Sequence, residues 1–170
     1  MLARIAAAAA VGRGDELPGL YREASEVGVP AADLAETTLQ VFLFAGYPRT
    51  IVAFQALAEA MPGDWEPPQE PESADFAERG LATFRQVYGK HTETVLEMLD
   101  SLHPDFARYV IHDAYGQVLG RPFLPLVERE ILAVAMLSAL GLPDQLKAHV
   151  RGARAAGATE EQIEIALAQS

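Results

Sequence analysis

The chain has 170 residues, half of them apolar, with a net charge of −11, a pI near 4.7 and no cysteine. That length supports one domain with a hydrophobic core, and the acidic balance sets the chain against nucleic acid, whose phosphates require a concentrated basic face. Lack of cysteine excludes disulfides, thiolate nucleophiles, cysteine-bound zinc and iron–sulfur clusters.

Helical signals dominate and alternating β-branched runs are absent, so the chain reads as all-α. Met1–Val11 is alanine-rich, with Arg4 as its only charge. It lacks the basic start and greasy h-region of a secretory leader, so it reads as helix and the expected location is cytoplasmic. Pro30 opens a helix with Leu34, Thr38, Val41, Phe42 and Phe44 inside. Gly46 suits its end and Pro48 the start of the next, which runs from Arg49 to Met61. Residues 62–75 read PGDWEPPQEPESAD, with four prolines and five acids. No helix survives that composition, which makes the segment an exposed connection. Trp65 within it is either an anchor for this strap or part of a lid. Phe76–Tyr88 and Thr94–Leu102 follow as helices, and His103-Pro104-Asp105 starts another that reaches Leu119. Pro125 opens a helix to Leu140 and Pro143 one to Ala156. Gly157 ends it, and Thr159-x-x-Gln162 forms a capping box for the last helix. No run reaches the roughly 18 apolar residues of a membrane span, so no membrane partner is expected.

Residues 1–41 lie over 130–170 without a gap. Gly12, Asp15, Leu17, Arg22, Ala24, Gly28 and Gln40 meet Gly141, Asp144, Leu146, Arg151, Ala153, Gly157 and Gln169. This is a degenerate internal repeat. In its first copy Met1 and Leu20 stand where the second has Glu130 and His149.

On the helix after Pro143, Leu146, Val150 and Ala153 form one stripe toward the core, while Lys147, Arg151 and Arg154 share a solvated face. His149 falls on the other flank of the stripe, one turn after Gln145 and beside the small residues Ala148, Gly152 and Ala156. Such a row suits either a pocket or close helix packing around a core histidine. Glu130 lies 11 residues before Gly141 and His149 lies 8 after it. At ~1.5 Å per residue these are ~16 Å and ~12 Å along antiparallel neighbours, near enough in height to interact. Glu130 precedes ten uncharged residues, so its carboxylate needs a partner. Glu128 and Arg129 beside it read as first-turn charges at a helix start.

The hairpin EREILAVAMLSALGLPDQLKAHVRGARAAG resembles the core of the carboxymuconolactone decarboxylase family, which includes the alkylhydroperoxidase AhpD-like proteins. Residues 104–122, with Pro104-Asp105-Phe106 and AYG-x-V-x-x-RP, resemble its decarboxylase branch. In the thiol peroxidase branch the second helix begins Cys-x-x-Cys-x-x-x-His. Here Leu142, Gln145 and His149 hold those positions, so the histidine remains without either sulfur. The match covers about 76–170, and 28–61 resembles the family's closing segment displaced to the front. The chain is therefore expected as a single AhpD-like helical bundle. Residues 1–61 form a partial displaced repeat, 62–75 the connection and 76–170 the family core.

The resemblance implies a cofactor-independent decarboxylation of a small lactone or keto acid. His149 would be the acid and Glu130 its orienter, with Arg121 set for a substrate carboxylate. Gln145, Tyr115 and His112 are further candidates to line the substrate, each equally open to a structural role. No metal pattern, Walker loop, GxGxxG or nucleophile elbow is present, so no cofactor is expected. Family members associate into trimers or hexamers, which implies a homo-oligomer, of lower order if the repeat makes one chain do the work of two. The alternatives are an AhpD-like antioxidant protein without thiol chemistry, or a binding or assembly protein on the same fold.

Overall fold

The computed structural model describes residues 1–63, 66–71 and 75–169, which leaves Trp65 outside the described residues. Among them the chain is all-α. It runs through α1 (Leu2–Val11), α2 (Leu17–Glu26), α3 (Ala31–Ala60), α4 (Phe76–Tyr88), α5 (Thr92–Leu102) and α6 (Pro104–Tyr109). A π-helical segment (Val110–Leu119) then leads to α7 (Leu126–Ala139), α8 (Pro143–Ala155) and α9 (Glu160–Leu167).

Two helices form the centre. α1 buries Ile5 and Ala6 through Ala10, and its small side chains let α3 and α7 pack directly against it. α7 buries every residue from Arg129 to Leu137 because α1, α3, α8 and α9 all pack on it. A helix apolar on all sides is a core helix, and the ten uncharged residues after Glu130 have this cause.

The two hairpins share their boundary chemistry at an offset of 129 residues. Gly12 and Gly141 both take positive φ, at 83° and 68°. Arg13 N–H donates to the Ala8 carbonyl as Leu142 N–H donates to that of Leu137. The ends of α2 and α8 match as well, with Gly28 N–H on Ser25 and Gly157 N–H on Arg154. These are left-handed C-terminal caps, which favour glycine because it carries no Cβ. α9 opens with the expected capping box between Thr159 and Gln162.

The two segments differ after that point. α9 stops at Leu167, whereas α3 continues to Ala60. The expected stop at Gly46 and restart at Pro48 are present as a sharp break inside α3. Gly46 sits at φ 73°, ψ 176°, and helical geometry resumes at once around Pro48. Thr50 Oγ1 donates to the Gly46 carbonyl at 2.9 Å, a side-chain bond across the first turn after the break. By length and hydropathy α3 is also long and apolar enough to cross a membrane. Part of its apolar surface serves the core, where Leu34, Val41, Ala53, Ala56 and Leu57 join α1 and α2 in one cluster, while Tyr47, Ile51 and Val52 are exposed.

A departure from the expected helices lies at 110–119, where the chain widens from α into π geometry. Gly116 and Gly80 allow this segment to lie backbone to backbone on α4, since a Cβ at either would run into the opposing carbonyl, Phe76 or Ile111. Tyr115, Val118 and Leu119 point inward as a result.

Candidate active site

α7 and α8 run antiparallel after the Gly141 turn, and Glu130 and His149 meet between them. Glu130 Oε2 lies 3.0 Å from His149 Nδ1. Glu130 is fully buried and the His149 side chain is 11% exposed. An ionised carboxylate can only accept, so Nδ1 carries the hydrogen in that state. Nε2 is then the nitrogen free to exchange protons. Phe44 of α3 stands edge-on to the imidazole, with ring centroids 5.7 Å apart. α3 thus reaches the C-terminal hairpin and helps to fix the ring.

Gly152 makes this approach possible. A Cβ there would lie 2.5 Å from Glu130 Oε2 and 2.8 Å from Val87 Cγ1. The small residue beside His149 is therefore a notch for the carboxylate. Glu130 Oε1 has no hydrogen-bond partner among the described residues, although it is buried.

Tyr115 lies close enough to feel the Glu130 charge. Its hydroxyl donates to Tyr88 Oη at 3.2 Å. Burial first, then Tyr88 and the Glu130 charge, push Tyr115 well above the ordinary tyrosine value. Burial also raises Tyr88, and the Arg151 charge works against that rise. Both phenols stay protonated at neutral pH.

The other sequence candidates do not join this group. Gln145 is exposed at the start of α8. His112 Nδ1 pairs with Asp113 at 2.6 Å and its ring stands edge-on to Phe76. Arg121 does not stand free for a substrate carboxylate. Its Nε and Nη2 grip Glu36 at 2.9 and 2.8 Å, and Nη2 also donates to the Pro68 carbonyl at 3.0 Å. Arg121 lines a cavity of about 580 Å³ with Phe42, Tyr47, Ile51 and Phe54, and neither Glu130 nor His149 lines that cavity.

Glu36 was invisible as a site residue in the sequence. It also accepts from Arg129 Nη2 at 2.6 Å, while Gln40 Nε2 donates to the Arg129 carbonyl at 2.7 Å. Arg129 is fully buried, so it is a core cation and not the first-turn surface charge expected. Burial pushes the Glu36 carboxyl up, but the two arginines outweigh it and hold it below the usual carboxylate range. Glu70 of the strap accepts from both Nη atoms of Arg79, at 2.5 and 2.6 Å, and lies 3.7 Å from Arg121. The strap is fastened through Glu70 and Pro68. The available signal was two polar residues four apart, Glu36 and Gln40, next to an apolar stripe.

Comparison with known proteins places these features in a family. Residues 104–170 match the model of the carboxymuconolactone decarboxylase family, a span that holds Glu130, His149, Tyr115, Arg121, Gln145 and His112. The chain is 31% identical over 169 residues to Peroxisomal protein 2 of Schizosaccharomyces pombe, covering 94% of this chain and 78% of that protein. It is 35% identical over 86 residues to 4-carboxymuconolactone decarboxylase of Acinetobacter baylyi, covering 50% of this chain and 64% of that enzyme. With its helical bundle and its cysteine-free hairpin, the chain belongs to the carboxymuconolactone decarboxylase family.

Proposed function

We propose that this protein is a cofactor-independent enzyme that decarboxylates, or moves a proton on, a small lactone or keto acid. The observation that carries this reading is the buried Glu130–His149 pair at 3.0 Å, the pairing in which a carboxylate orients an imidazole for proton transfer. In a decarboxylation the bond between the substrate carbon and its carboxylate breaks and CO₂ leaves. The electron pair passes into the adjoining carbonyl as an enolate or dienolate. His149, protonated, then delivers a proton from Nε2 to carbon and is recharged from water, while Glu130 stabilises the imidazolium. Tyr88, which accepts from Tyr115 and keeps its own hydrogen, is a neutral donor suited to a developing oxyanion. Thiol peroxidation is excluded, since it needs two sulfurs and Leu142 and Gln145 supply none.

The test is CO₂ release from carboxymuconolactone and related lactone and β-keto acids. His149→Ala should lower turnover about 10²- to 10⁴-fold, the usual range for a general acid, and Glu130→Gln should lower it without abolishing it. Turnover untouched by His149→Ala would refute the site. One observation favours a second reading, a non-catalytic binding protein: only a small part of the His149 side chain reaches solvent. A metabolite that co-purifies with the chain, with no turnover on any acid, would support it.

A further inference from the structure

The chain carries 24 acidic and 13 basic side chains, so a cavity that gathers unpaired cations needs an explanation. One of about 250 Å³ opens where the end of α4 and the turn after it meet α8. Its polar lining includes Tyr88, Lys90, His91 and Arg151, and no Asp or Glu is among its lining residues. On α8 the neighbouring cations are matched, Lys147 with Asp144 at 3.3 Å and Arg154 with Glu160 at 2.7 Å. Among the described residues neither Arg151 nor Lys90 has an ion-pair partner. Arg151 is exposed together with Lys147 and Arg154, as expected of a solvated face, but it is the one of the three without an ion-pair partner among the described residues.

Neither Glu130 nor His149 lines this cavity, but it adjoins the residues packed around them. Val87 lines it and also packs against the Gly152 notch that holds Glu130. Tyr88 lines it, and the charges of Arg151 and Glu130 both act on its hydroxyl. That hydroxyl accepts from Tyr115, which leaves its own hydrogen for a further acceptor. The volume falls below the roughly 300–1,000 Å³ of sites for drug-sized ligands, so a small ligand fits.

We propose that this cavity is the substrate-anion site, with Arg151 and Lys90 as its cations, Tyr88 as a hydroxyl donor, and a small carboxylic acid as the ligand class. It takes the role that Arg121 cannot fill while Glu36 occupies its fork. The proposal rests on the proton-transfer reading for its purpose, but binding tests it separately.

The probe is glutarate, a dicarboxylate with no lactone to turn over, titrated calorimetrically into the full chain at low ionic strength. Glutaramide is the neutral control. Glutarate should bind and glutaramide should not. Arg151→Gln and Lys90→Gln should each weaken binding about tenfold or more, as expected for a charge-assisted hydrogen bond. Lys147→Gln and Arg154→Gln should leave it unchanged. No glutarate binding at millimolar concentration would overturn the site, as would equal weakening by all four substitutions. Binding of inorganic phosphate in preference to glutarate would overturn the carboxylate assignment. Glutarate binding that follows Arg151 and Lys90 while turnover ignores His149 would leave this site standing and remove the proposed chemistry. The reverse pattern would remove only this site.

Discussion

Gly152→Ala is the sharpest probe of the Glu130–His149 geometry, because it adds one methyl group where the structure has no room. The new Cβ would sit 2.5 Å from Glu130 Oε2, and ordinary contact begins at 3.4 Å. If the carboxylate retreats by that difference, its 3.0 Å bond to His149 passes the roughly 3.2 Å limit of a good hydrogen bond. Overpacking costs about 1–3 kcal/mol, and loss of a hydrogen bond to a charged group about 1.5–3. Alanine recovers about 1 kcal/mol of helix propensity, which leaves a net loss of about 1.5–5 kcal/mol by these estimates. Urea denaturation measures it, and the imidazole resonances of His149 report the broken pair directly. A double-mutant cycle with Glu130→Ala isolates the cause. Once the carboxylate is gone, the methyl has only Val87 to displace, so the double variant should be more stable than the sum of singles by about 1 kcal/mol or more. Costs that add within about 0.5 kcal/mol, with the His149 signals unmoved, would refute the notch.

Glu36→Gln should cost about 3–5 kcal/mol, the range for stranding a buried charge, since Arg129 is fully buried and relies on this carboxylate. The effect has a pH signature. The folded Glu36 carboxyl is held below its ordinary 4.5. Its stabilisation is therefore complete above that value and fades as pH falls through the lower folded one. The wild-type advantage over Glu36→Gln, read from denaturant midpoints, should be flat near neutrality and shrink in acid; a gap that holds constant into acid would contradict the pairing. Thr159→Ala removes the acceptor for Gln162 N–H in the α9 capping box and should cost about 1 kcal/mol in thermal melts. No change would show that the box is incidental.

Much of the helical frame was readable in the chain because helix ends are local events. Glycine and proline at 12, 28, 30, 46, 48, 125, 141, 143 and 157 act through φ and the missing N–H, and each lies at or beside a boundary or the break within α3. The Glu130–His149 encounter was also readable, since 11 residues on one side of a tight turn and 8 on the other fix two heights on one hairpin. The π geometry of 110–119 was not. It depends on how closely α4 approaches, which the local pattern of apolar residues does not encode. The role of Arg121 escaped for a similar reason. Its partner Glu36 lies 85 residues away, and nothing near either residue announces the other. Arg129 looked like a first-turn surface charge until α1, α3, α8 and α9 closed around α7. Arg151 shared a helix face with two paired cations, and only the position of Tyr88 and Lys90 sets it apart.

An all-helical chain, two hairpins with like-placed glycines, the lack of thiol chemistry and one carboxylate–imidazole pair were legible in the residues alone. These follow from torsional preference, helical period and the presence or absence of an atom type, all of them local. Tertiary structure alone decided which charges are free. It matched Arg121 and Arg129 to Glu36, fastened the strap through Glu70, and left Arg151 and Lys90 facing a cavity beside the residues packed around the pair. Ion pairing depends on distance in space rather than in sequence, so a cation's availability to a ligand is settled only once every acid has been placed.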